Sequence, residues 1–81
     1  MTKEEVVKMS NAELIEKISE CQEVMIELHK EATKLNHDFL NLLIGVEEFS
    51  NQKVGIRESM LQLDSDIKKM EFMLRMRKLR A

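Results

Sequence analysis

The sequence predicts an all-α fold: an antiparallel helical hairpin or coiled coil with a break near 50–55, assembling into a helical bundle. Three observations carry that expectation. The first is composition. Pro, Trp and Tyr are absent from the 81 residues, only two Gly occur, and Leu, Met, Glu and Lys dominate. Such a chain favours helix over strand.

The second is a ladder of apolar residues. It runs Leu14, Ile18, Cys21, Met25, Leu28, Ala32, Leu35, Phe39, Leu42, Val46, Phe49, Lys53, Ile56, Met60, Leu63, Ile67, Met70 and Leu74. The steps alternate between four and three residues, and only Lys53 is not apolar. Alternating steps of this kind are the heptad pattern of helices that pack on helices. The third is charge. Residues 1–50 carry eleven acids and five bases, and residues 51–81 carry four acids and eight bases. Halves of opposite sign suit antiparallel pairing.

Taken in chain order, residues 1–10 read as a lead-in. Thr2 with Glu5 and Ser10 with Glu13 have capping-box spacing, in which the hydroxyl accepts from the backbone N–H three residues on. Met9 before the second cap and Leu14 after it match the hydrophobic staple. A first helical arm is expected over 11–49. A four-residue step runs from d to a, so Leu14, Cys21, Leu28 and Leu35 occupy d, and Ile18, Met25, Ala32 and Phe39 occupy a. Lys53 is then a polar a residue, which costs stability and restricts register.

Residues 50–55, Ser-Asn-Gln-Lys-Val-Gly, form the weakest helical stretch, and Asn51 or Gly55 suits the left-handed conformation that ends a helix. A turn there leaves a second arm over 56–80. It would also set Arg75, Arg77, Lys78 and Arg80 alongside Glu20, Glu23, Glu27 and Glu31. The alternative architecture is one continuous long helix of roughly 105 Å in a coiled-coil dimer, which the unbroken ladder phase favours. Glu4–Lys8, Glu13–Lys17, Asp64–Lys68 and Glu71–Arg75 have the i, i+4 order that supports helix by about 0.2–0.5 kcal/mol each.

Expected surfaces follow from the same helical geometry. The oligomer seam comprises Leu14, Ile18, Cys21, Met25, Leu28, Leu35, Phe39, Leu42, Val46, Phe49, Ile56, Met60, Leu63, Ile67, Met70 and Leu74. Apolar residues off the seam, Leu40, Ile44, Leu61, Phe72, Met76 and Leu79, are either the broad buried faces of a bundle or a docking surface for another protein's helix. Lys68, Lys69, Arg75, Arg77, Lys78 and Arg80 form a basic patch. It reads as a solvated face or a counterpart of the acidic half, or as a nucleic-acid contact. Its charges interrupt the apolar arc, which argues against a membrane-surface helix, and no Tyr or Trp offers base stacking. Glu16, Glu20, Glu23 and Glu27 read as a solvated stripe.

No constellation suggests catalysis. His29 and His37 lack a carboxylate, Cys or His at i±3 or i±4, so no helical metal site is expected. Cys21, the single cysteine, reads as an inert seam thiol and excludes an internal disulfide. No Gly-rich loop, metal or cofactor motif occurs. The acidic, polar start of the chain does not resemble a signal peptide, so a cytoplasmic setting is expected. The functional expectation is a small self-associating interaction protein, not an enzyme. It would serve as an adaptor, or as a regulator or inhibitor of a larger target of the kind phages and mobile elements encode. The alternative is a nucleic-acid-binding hairpin dimer using the basic C-terminal arm. Two such hairpins resemble in outline the small bundle proteins of plasmid copy control, a likeness of architecture that no residue motif carries.

Overall fold

The computed structural model describes residues 1–80. Three helices follow in order: α1, Lys3–Lys8; α2, Asn11–Leu40; and α3, Val46–Arg80. Helices α2 and α3 pack against each other, and α1 packs on α3. The hairpin is elongated, with extents of 56 × 18 × 16 Å.

Both caps form. Thr2 Oγ1 accepts from the Glu5 N–H at 3.3 Å, and Ser10 Oγ accepts from the Glu13 N–H at 3.1 Å. Glu13 closes the second box by accepting from the Ser10 hydroxyl at 3.1 Å rather than from its backbone. Met9 and Ser10 are extended, which turns the chain between α1 and α2. Val6, Leu14, Cys21, Ile67 and Met70 form the buried core, flanked by Met1, Met9, Ile18, Leu63, Met73 and Leu74. The core therefore lies at the open end of the hairpin, where α1 adds a third layer.

The chain turns back at 41–45, not at 50–55. The arms are accordingly 11–40 and 46–80. Residues 50–55 lie inside α3, so neither a break there nor a helix continuous through the forties is found. At the end of α2, Leu42 N–H donates to Phe39 O at 3.1 Å and Leu43 N–H to Asp38 O at 2.9 Å. These are the two bonds of a Schellman motif, with Leu42 in the left-handed position at φ 59°. Gly45 O accepts from the Phe49 N–H and opens α3.

The reason for the turn lies in the ladder. Its four-three stepping is mirror-symmetric about residue 44. Folding there sets Leu14 level with Leu74, Cys21 with Ile67, Leu28 with Met60 and Phe39 with Phe49. The last pair stacks with ring centroids 4.2 Å apart. Antiparallel helices pair a with d, and a fold at 44 provides that along the whole length. A fold about residue 51 would keep the same a-with-d pairing but leave the residues before about 22 with no partner on the second arm. Lys53, the one flaw, is exposed, and its Nζ lies 5.2 Å from the Phe49 ring.

Candidate functional site

Most of the expected seam is inside. Leu14, Cys21, Leu35, Ile67 and Met70 are buried, and Ile18, Met25, Leu28, Phe39, Phe49, Ile56, Met60, Leu63 and Leu74 are half-buried. Leu42 and Val46 are exceptions. The turn takes them out of the seam and exposes them. Burial raises the Cys21 thiol pKa, opposed by Lys17 and reinforced by Asp66 and Glu20. Among the described residues no cluster of His, Cys, Asp or Glu could hold a metal ion.

The basic patch is partly consumed by the fold. Arg77 donates from Nη1 to Asn11 Oδ1 at 2.8 Å and from Nη2 to Val7 O at 3.0 Å. It thereby ties α3 to the end of α1 and the start of α2. Lys69 Nζ donates to Met1 O at 3.1 Å, and the Met1 amino group lies 3.6 Å from Asp66. Lys68 pairs with Asp64 at 2.9 Å, a hydrogen bond that raises its pKa. Arg75, Lys78 and Arg80 are exposed along the last turns of α3. The expected alignment of these bases with Glu20–Glu31 is not found, because the turn at 41–45 shifts the register toward residues 8–13. No ion pair joins α2 to α3 among the described residues; the side-chain pairs are local, such as Lys17–Glu20 and Lys30–Glu27.

Three apolar surfaces remain outside. The first is the tip of the hairpin. Leu40, Leu42, Leu43 and Val46 are all exposed there, Leu42 at 90 %; Ile44 is half-buried. Phe39 to Val46 contains no charged residue. The sequence expectation named Leu40 and Ile44 but placed Leu42 and Val46 in the seam. Asn41 and Gly45, which bracket the turn, were the overlooked signal. The second surface is on α3. Leu61, Phe72 and Leu79 are exposed, whereas Met76 is half-buried. Leu61 and Phe72, three helical turns apart, flank a shallow depression containing Ser65, Lys68 and Lys69.

The third runs along α2. Positions e and b, which follow d and a, carry Ile15, Ser19, Gln22, Ile26, His29, Thr33, Asn36 and Leu40. No carboxylate, lysine or arginine interrupts them or the neighbouring a row of α2; those charges are confined to c, f and g. The a residues Ile18, Met25, Ala32 and Phe39 are only half-buried, so this side of the seam is open. On the opposite, g side, α1 packs on α3 at the open end, with Val6 in the same buried cluster as Leu14 and Cys21. Farther toward the tip this side is a groove of about 560 Å³ lined by Leu28, Leu35 and Ile56 with polar neighbours.

Comparison with family models, curated proteins and solved structures gives no match. No helix among the described residues is long and apolar enough to cross a membrane.

Proposed function

We propose that this protein is a small cytoplasmic, self-associating interaction module. It acts as an adaptor or regulator of a larger protein, engaging it through the apolar hairpin tip and the Leu61–Phe72 stripe. One observation carries the reading. Leu42 sits at φ 59° with its side chain 90 % exposed. A non-glycine residue in the left-handed region costs roughly 1 kcal/mol or more. A side chain this exposed recovers little of that inside the chain. An external contact accounts for a leucine at the summit of the tip, with Leu43 and Val46 beside it.

The test separates binding from folding. Leu42→Gly removes the side chain and relieves the backbone, so it should stabilise the hairpin while weakening capture of the target. Phe72→Glu should weaken capture without unfolding, and Glu16→Gln and Glu23→Gln should leave it unchanged. Undiminished capture by both Leu42→Gly and Phe72→Glu sinks the reading. The exposed Arg75, Lys78 and Arg80 favour a second reading, a nucleic-acid contact. A salt titration with mixed RNA and DNA decides it: steeply salt-dependent binding that depends on those three residues supports nucleic acid. Absence of binding at low salt leaves the protein-target reading alone.

A further inference from the structure

We infer that the charge-free face of α2 is the interface with a second copy of this chain. Two α2 helices would pack antiparallel about a two-fold axis level with residues 27 and 28. This rests on the self-association proposed above and adds a face, an orientation and a register.

The argument begins with surface. The described residues expose 6308 Å², whereas a compact monomer of 9.5 kDa exposes about 5,000 Å². One hairpin is thus under-covered: it is open on the g side, where the groove beside Leu28 and Leu35 also carries Glu31, Lys34 and Asp38, and on the a, e and b side of α2, which carries no such charge. The stepping along e and b is itself a four-three ladder, mirror-symmetric about 27.5. A two-fold interface must be self-complementary, because each residue meets its mirror partner. The antiparallel arrangement satisfies that along its whole length. Ile15 falls opposite the second copy's Leu40, and Ile26 opposite its His29. The polar pairs match too: Ser19 with Asn36, and Gln22 with Thr33.

The flanking rows decide the register. In an antiparallel pair each flank meets the same flank of its mate. On the outer, f flank, Glu23 falls opposite the second copy's Lys30, a pair of opposite charge, and Glu16 falls opposite its His37, whose imidazole N–H can donate to a carboxylate. On the inner, a flank, Ile18 meets Phe39 and Met25 meets Ala32, completing the centre of a four-helix bundle. The same axis passes level with residues 60 and 61 of α3. There it sets Arg57 against the second copy's Asp64, again with opposite charges. A parallel, in-register pairing would instead stack Glu16 on Glu16, Glu23 on Glu23 and Lys30 on Lys30.

The test uses the full chain with Cys21→Ala, labelled with one spin label at a time at exposed Glu20, Glu27 or Lys34. Along the axis the two labels of a dimer should be separated by roughly 2 Å at position 27, 22 Å at 20 and 20 Å at 34. The profile is therefore a minimum at 27 rising on both sides. Glu23→Lys should raise the dimer dissociation constant about three- to tenfold, and adding Lys30→Glu should restore it to within about twofold. Ile26→Glu should give a helical monomer, since that side chain is exposed within one hairpin. A dimer with a flat label profile, or one indifferent to the charge swap, overturns this interface and leaves self-association standing. A monomer at about 100 µM overturns both.

Discussion

At the scale of single residues, three positions are out of balance with their surroundings. Leu42 occupies a left-handed site that glycine fills without a Cβ penalty. Leu42→Gly should therefore raise stability by about 1 kcal/mol, read as a melting temperature higher by roughly 4–8 °C. Gly55 lies within α3, and a Cβ added there meets nothing within 4 Å. Gly55→Ala should add about 1 kcal/mol from helix propensity alone, measured by urea unfolding with an unchanged slope. Cys21 is the third. Burial raises its pKa, so the folded chain favours the neutral thiol. As pH climbs past the ordinary thiol range, the unfolded chain ionises first, and stability should fall. A disulfide reagent at pH 8 should accordingly label Cys21 far more slowly in the folded protein than in urea. Equal rates would mean the core around Leu14 and Met70 is open.

At the scale of elements, the ladder reads equally well as a rod and as a hairpin folded at residue 44. That is why helix type, both caps and most of the inward-facing residues were legible, though not whether a second copy shares that seam, while the turn was not. Sequence weakness at Ser50–Gly55 pointed to a break. Yet Phe49 and Ile56 anchor α3 on either side of it, and local propensity yields to packing. The turn itself is hidden because it is apolar, with Leu42, Leu43 and Ile44 where glycine and polar residues are usual. Opposite charge in the two halves suggested the hairpin, although no α2–α3 ion pair holds it among the described residues. The candidate surfaces were legible where helical spacing alone fixes them, as for Leu61 and Phe72. They were not legible where tertiary structure intervenes: Arg77 belongs to the fold and not to a basic surface. That assignment has a consequence. Arg77→Met keeps an apolar stem but removes the bonds to Asn11 and Val7. It should cost about 1–3 kcal/mol and loosen α1 first, seen as faster amide exchange over residues 3–9 than at Leu35. Unchanged exchange in α1 would show that Val6 and the Met1 contacts hold it in place without Arg77.

At the scale of the whole molecule, the proposed dimer changes what the tip can do. An antiparallel α2 pair sends the two hairpin tips to opposite ends of a rod, each capped by Leu42, Leu43 and Val46. A monomer offers one tip; the dimer offers two that point away from each other and cannot share one site. Such a module would bridge two target molecules or two distant sites on an assembly, and its strength would come from bivalency. Ile26→Glu separates the two scales, because it removes the second tip without altering the first. Against a target spread densely on a surface, its apparent affinity should fall by at least tenfold. Against the same target free in solution, each tip should bind as before. A parallel loss in both formats would place Ile26 in the target contact itself. Equal affinity in both formats would mean that the two tips never engage together.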